Sequence, residues 1–359
     1  MKTINVLSPG FTSPNSAAFL FPLIKFKRAL KDKNLNVHIY NQINDNITDC
    51  DYLLIDSKYF KAYWSRDFDG TLEVISLLNS KTKVIWCDQS DSTGTFLGQV
   101  LPHVHRYLKA QLLKDKNQYT KTLYASRIFT DYYHKKYEIT DRAPYIDQPI
   151  KNLDDLNKLR VSWNSAFMNY GIIGPYIPRI RAHLPINSIL KFTERKTSAE
   201  TQRSLDVTCR MGISYARETV CYQRKRIREI LSSHVKTDKL SRSKYLKEIG
   251  NSKICVSPFG LGEITLKDFE CFINGALLLK PDMSHMETWP NLYVDGETCI
   301  SHKWDMDDLQ AKIDWALSHK KERIHIAQNG QDVYAQHTTS KHAPEIFAQR
   351  FTNILLNHH

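Results

Sequence analysis

Six short apolar runs, each of strand length, constrain this chain more than any other feature. Four lie in the first 90 residues: "INVLSP", "LNVHIYN", "DYLLIDS" and "TKVIWCD". Two more, "KICVSPF" and "ALLLKP", follow in the second half. Between the first two runs sits "AAFLFPLIKFKRALKDKN", apolar at helical spacing with a basic outer face. Strands that are apolar along most of their length need cover on both faces, and interleaved helices supply it. The expected fold class is α/β with parallel sheets, whose ligands bind beyond the carboxyl ends of the strands. "SPGFTSPNS" and "CDQSDSTGT" each follow such a run and are the expected binding loops of the first half.

At 359 residues the chain is long enough for two domains. The proline-bearing stretch "DRAPYIDQPIKNLDDLNKLRVSWNS" marks the crossover between them. An acceptor-binding domain is expected over 1–150 and a donor-binding domain over 151–340. A terminal helix, "APEIFAQRFTNILLNHH", is expected within 341–359. Residues 95–137 read as mostly helical. In the second half "LRVSWNSAF" and "SLDVTCRMGIS" read as strands. "ETVCYQRKRIREILSSH" and "DDLQAKIDWALSH" read as helices, the first with a basic face.

The formal net charge of +12 suits an anionic partner such as a phosphorylated substrate, acidic headgroups or nucleic acid. Seven cysteines are scattered without a CxxC pair, which favours buried reduced thiols and a cytoplasmic setting. No window approaches the ~18 apolar residues of a membrane span, and the N-terminus lacks the pattern of a signal peptide.

The stretch from Ser257 to Pro281, "SPFGLGEITLKDFECFINGALLLKP", carries the chemistry. It reads as a strand, a loop with Gly260 and Gly262, a helix, and a second strand after Gly275. Amides at a helix start attract phosphate. Lys267 lies one turn in, and Glu270, three residues on, is placed to accept hydrogen bonds from a sugar diol. This layout resembles the second domain of GT-B glycosyltransferases of the group 1 and family 4 type: two Rossmann-like domains facing across a cleft. Those enzymes have a glutamate five residues before a glycine, matched here by Glu270 and Gly275. The resemblance implies that Glu270 holds the donor ribose, Lys267 the diphosphate, and the Gly260–Gly262 loop the sugar or phosphate. The family's paired glutamates have seven residues between them, whereas Glu263 and Glu270 have six; Gly262 stands at the earlier family position. Glu263 is accordingly a catalytic candidate only through a local shift.

The resemblance further implies an Arg and Lys clamp on the donor diphosphate. Arg217, Arg224 and Lys225 in "YARETVCYQRKRIRE" are the residues expected for it. His285 and Glu287 in "PDMSHMETWPNLY" are expected near the donor sugar. Asp88 and Asp91 end a buried strand of the first domain, where a carboxylate can act as general base, although helix or turn capping explains the pair at least as well. The Asp-x-Asp at Asp67 and Asp69 sits in an early polar stretch with no strand before it and does not fit the metal-dependent type, so metal independence is expected, with the nucleotide-sugar as substrate and no cofactor. The overall reading is a glycosyltransferase of surface polysaccharide or lipopolysaccharide assembly. Its acceptor is a glycan or lipid-linked molecule, at the cytoplasmic face of an anionic membrane, with no nucleic acid involved. A nucleotide-sugar epimerase of the same architecture and a non-enzymatic nucleic-acid-binding protein are the alternatives.

Overall fold

The computed structural model describes residues 1–172, 174–177, 190–231 and 235–356. The ends of two expected helices, at 232–234 and 357–359, lie outside them. The first sheet is built from β1 (Lys2–Leu7), β2 (Leu35–Tyr40), β3 (Tyr52–Asp56), β4 (Lys83–Asp88), β5 (Arg106–Lys109) and, beyond a short β6 (Gln111–Leu113), β7 (Leu159–Val161). All six strands are parallel, in the order β2-β1-β3-β4-β5-β7. The near-continuous apolar runs explain this, since Val6, Leu54 and Ile85 sit side by side with no exposure. Strand order reverses between β1 and β3, so α1 (Pro14–Lys25) and α4 (Phe68–Lys81) pack on opposite faces of the sheet, with the short α2 (Lys27–Asp32) and α3 (Lys61–Trp64) between them in sequence. The Ser13 hydroxyl accepts from Ser16 N at 3.1 Å and starts α1; Asp67 starts α4 by accepting from Gly70 N at 2.9 Å. At the reversal, Ser8 after β1 donates to Asp56 at the end of β3, 2.8 Å away.

The second sheet comprises β8 (Leu205–Thr208), β9 (Ser252–Val256), β10 (Leu277–Pro281) and, past β11 (Met286–Thr288), β12 (Ile300–His302). Its strands run parallel in the order β12-β10-β9-β8. Around the sheets lie α5 (Ile128–Tyr137), α6 (Glu218–Leu231), α7 (Arg242–Gly250), α8 (Leu266–Asn274), α9 (Leu309–Ser318), α10 (Lys320–Thr338) and α11 (Ala343–Leu356). Gly275 ends α8 at φ +61, where a side chain would meet Ala199 N at 2.7 Å, so both backbone and space require glycine.

Three features depart from the sequence reading. Residues 95–137 contain β5 and β6 among 3-10 turns, with α5 as their one α-helix. The strand was hidden because its ends are charged: Arg106 and Lys109 are buried, Arg106 donating to Leu355 O at 2.9 Å and Lys109 pairing with Asp88. The expected boundary at residue 150 falls too early, because β7 pairs with β5 and completes the first sheet. The terminal helix α11 also returns to that sheet, with Arg350 donating to Val161 O at 2.6 Å and Phe347 packed on Phe26. Finally, α10 was not foreseen. Its buried face mixes Arg323, Gly330, Gln331 and Thr338 with Ile326, Ala327 and Tyr334, which weakens the usual helical signature.

Candidate active site where the two sheets meet

The loop after β9 carries the site. Gly260 N donates to Gly262 O at 2.9 Å, a tight turn that brings Gly262 against the first domain. A Cβ on Gly262 would lie 1.6 Å from the carbonyl oxygen of Asp91. The next residue, Glu263, is fully buried and accepts from Thr93 Oγ1 at 2.6 Å, Thr93 N at 3.0 Å and Ser92 Oγ at 3.2 Å. His285 Nε2 stands 3.6 Å from the same carboxylate, an ionic contact beyond hydrogen-bond range when the ring is protonated. The expected cleft is therefore bridged at its centre, and Glu263 is a clasp between domains rather than an accessible catalytic group.

Burial alone would raise the Glu263 pKa, but His285 and the Thr93 donors hold it below the ordinary 4.5. A carboxylate depressed in the folded state stabilises the fold above its unfolded pKa, and that contribution fades as pH falls through the lower native value. Melting curves of wild type and Glu263→Gln should accordingly show a stability gap at pH 7 that narrows below about pH 4.5. A gap independent of pH would contradict the clasp.

Other contacts join the halves. β6 and β11 form an antiparallel ribbon with Leu113 opposite Met286. Arg127 Nε donates to Leu261 O at 2.5 Å. Asp141, buried in the crossover, accepts from Thr219 N at 2.8 Å and so caps α6 from the other domain. Gln223 Nε2 donates to Tyr133 OH at 2.7 Å, and that hydroxyl donates to Trp304 O at 2.9 Å. Sequence reasoning singled out none of Thr93, Arg127, Asp141 or Gln223. Thr93 and Glu263 are 170 positions apart, so no local pattern announces their contact.

The expected residues divide sharply. Asp88 is buried and occupied: Ser90 N at 2.8 Å, Tyr107 OH at 2.8 Å and Lys109 at 3.1 Å all reach it. Burial pushes its carboxyl up, but Lys109 and those donors hold it below the ordinary range. This is turn capping, the alternative weighed for it from sequence, and not a free base. Asp91 is exposed and accepts from Asn15 at 2.7 Å. It borders a cavity of about 50 Å3 lined also by Gln89, Gln111, Ser165 and, from the second domain, Ile264.

On the donor side, Arg217 leads into α6 with its Nη1 buried and, among the described residues, without a hydrogen-bond partner. Arg224 donates to Phe259 O at 2.8 Å and Gly212 O at 2.9 Å and stacks on Tyr215; its Nη2 faces Gly260. Lys225 points to solvent and pairs with Glu218 at 3.1 Å, away from the site. Glu287 is an exposed position of β11. Lys267 donates to Arg210 O. Glu270 is buried and ion-paired with Arg242, which also donates to Tyr170 O at 2.8 Å; burial raises its pKa against that pairing. The start of α8, expected to greet phosphate, is closed by its own capping box of Thr265 and Asp268. Among the described residues no group of three His, Cys, Asp or Glu is placed to hold a metal ion, and no helix is long and apolar enough to cross a membrane.

Residues 202–348 match a family model described as glycosyl transferase-like. That segment is glycosyl transferase-like by the match, and the two parallel α/β sheets have the layout of the GT-B architecture. The matched segment contains Arg217, Arg224, Gly260, Gly262, Glu263, Lys267 and Glu270; Asp88 and Asp91 lie outside it. No curated protein matches the sequence. Similar solved structures include Anabaena HepE in complex with UDP-glucose (9% identity, 98% of this chain, 100% of that one, TM-score 0.44). A glycosyltransferase from Rickettsia africae is similar at 10% identity over 99% of both chains, with a TM-score of 0.47. So is an α-glucosyltransferase solved with UDP and a DNA 13-mer, at 12% identity over 99% of both chains and a TM-score of 0.45. Likenesses this remote add nothing to what the strand orders establish.

Proposed function

We propose that this protein is a glycosyltransferase, moving a sugar from a nucleotide-activated donor, bound by the second domain, to a hydroxyl of a glycan or lipid-linked acceptor bound by the first. The supporting observation is Arg217: a buried guanidinium nitrogen without a partner among the described residues, at the carboxyl edge of the second sheet and inside the glycosyl transferase-like segment. A donor diphosphate is the partner its chemistry fits, since guanidinium and phosphate pair with two parallel hydrogen bonds. Arg224 adds fixed positive charge behind Gly260, and with Lys267 these groups offset the leaving diphosphate's charge without a metal or cofactor. Glu270 contacts the donor ribose only when Arg242 gives way.

In the transfer, the acceptor oxygen attacks the anomeric carbon and the bond to the diphosphate breaks. The nucleoside diphosphate departs, and the acceptor proton passes to a base. For an inverting outcome Asp91 is that base, being exposed beside the small cavity. The exposed Lys25, Lys27, Arg28 and Lys31 form a basic edge on α1 and α2 that suits an anionic membrane face, and with it a role in surface polysaccharide or lipopolysaccharide assembly in the cytoplasm.

The test is release of nucleoside diphosphate from a panel of nucleotide-sugars, with and without EDTA, against glycan, lipid-linked and DNA acceptors. Acceptor-dependent release that survives EDTA supports the proposal. A free epimer formed from donor alone would replace it. Arg217→Ala should raise the donor KM at least about tenfold, as expected for loss of a charge-assisted contact of roughly 1.5–3 kcal/mol, while leaving the melting temperature near wild type. An unchanged KM would remove Arg217 from the donor site.

A further inference from the structure

Four cationic side chains converge at the opposite end of the second sheet from the donor loops, where three helices end and one begins. Arg203 is 8% exposed and donates to Gly250 O at 2.9 Å and Asn274 O at 2.7 Å, closing the C-terminal ends of α7 and α8. Arg323 is 6% exposed and uses Nη1 on Ala316 O at 2.8 Å and on Leu317 O, closing α9. Its Nε and Nη2 have no partner among the described residues. Among the described residues neither guanidinium has a carboxylate within ion-pair distance. Burial and the neighbouring Arg323 bring Arg203 down to about 10, and burial lowers Arg323 against a weaker pull from Asp206.

Both arginines line a pocket of about 450 Å3, together with Lys253, Lys320 and Glu200. Lys253 pairs with Asp206 at 2.6 Å. Lys320 is exposed, opens α10 and has no ion-pair partner among the described residues. Four cations therefore meet two acids, Glu200 and Asp206. The first-turn amides of α10 receive no side-chain cap from His319, so the positive end of a 19-residue helix also faces this corner. Helix capping accounts for Arg203 and for Nη1 of Arg323. It leaves unexplained the remaining Arg323 nitrogens, the unpaired Lys320 and the surplus of positive charge around a cavity.

We infer that this pocket binds a phosphate-bearing anion, gripped by Arg323 Nε and Nη2, Lys320 and the start of α10, with Arg203 as fixed charge behind it. The cavity exceeds a bare phosphate, and Leu317 and Ile324 provide an apolar wall for an organic remainder. This site is separate from the donor diphosphate site and does not rest on the proposed transfer reaction.

Isothermal titration of the intact protein with inorganic phosphate, and separately with glucose 6-phosphate, tests it. At least one should bind saturably; binding of phosphate alone identifies the free ion as sufficient, and binding of the ester only identifies a metabolite. The Lys253→Ala/Lys320→Ala double variant alters surface groups outside the donor site, and it should weaken that binding at least about tenfold, or 1.4 kcal/mol. Arg217→Ala should leave it unchanged. The inference is overturned by absence of saturable binding to both probes, or by binding that Arg217→Ala abolishes and the double variant retains.

Discussion

Asp268→Ala should destabilise the protein by about 3–5 kcal/mol, the scale of breaking a buried ion pair. Lys280 is fully buried, and its ammonium reaches Asp268 Oδ2 at 2.9 Å. The same carboxylate accepts from Ser257 Oγ at 2.5 Å, Thr265 N at 2.9 Å and Tyr293 OH at 3.0 Å. Alanine leaves a buried cation, two buried hydroxyls and the half-buried Thr265 N–H without their acceptor, and removes half of the α8 capping box. The removal matters for function because α8 carries Lys267 and Glu270. Denaturation midpoints check it, with Asp268→Asn losing less. Pairing Asp268→Leu with Lys280→Met should recover much of the loss, because removing both charges removes the desolvation problem. A single variant that melts like wild type would show that the pair does not hold this region.

Gly262→Ala should separate the domains at their tightest point. The new methyl would sit 1.6 Å from Asp91 O and 2.4 Å from its carbonyl carbon, and both obstacles are backbone. No rotamer relieves such a clash, so the loop must withdraw and take Glu263 away from Thr93. Overpacking of this kind costs about 1–3 kcal/mol, and unsatisfied donors around Glu263 add a further loss of about 1–3 kcal/mol. The expected readouts are a lower melting temperature, a larger radius in small-angle scattering and loss of activity. Normal activity in a variant of normal melting temperature would mean that the two loops do not touch in solution.

How much of this was legible depended on distance along the chain. The six apolar runs gave their strands because burial on both faces leaves a local mark. Gly275 was legible for a similar reason: a glycine after a helical run signals a left-handed C-cap, and the chain adopts φ +61 there. Strand β5 was missed because Arg106 and Lys109 find distant partners, in α11 and at Asp88, that let charged residues be buried. The site was legible as a stretch but not as geometry. Glu263 reads as half of a displaced motif, whereas Thr93, 170 positions away, turns it into a clasp. Glu270 reads as a free acceptor, whereas Arg242 neutralises it. Lys225 and Glu287 share a stretch with site residues but point to solvent, because helices and strands present neighbouring positions to different faces.

The measurement that tests donor binding most directly is a thermal-shift panel of UDP, GDP, dTDP, ADP and CMP on wild type and Arg217→Ala. A ligand at about a hundred times its Kd adds about 2.7 kcal/mol of stability, which raises the melting temperature by several degrees. The account predicts that one nucleotide stabilises the wild type and that the shift collapses in Arg217→Ala. Five nucleotides without effect on the wild type, or a shift undiminished in the variant, would contradict a donor site at the carboxyl edge of the second sheet.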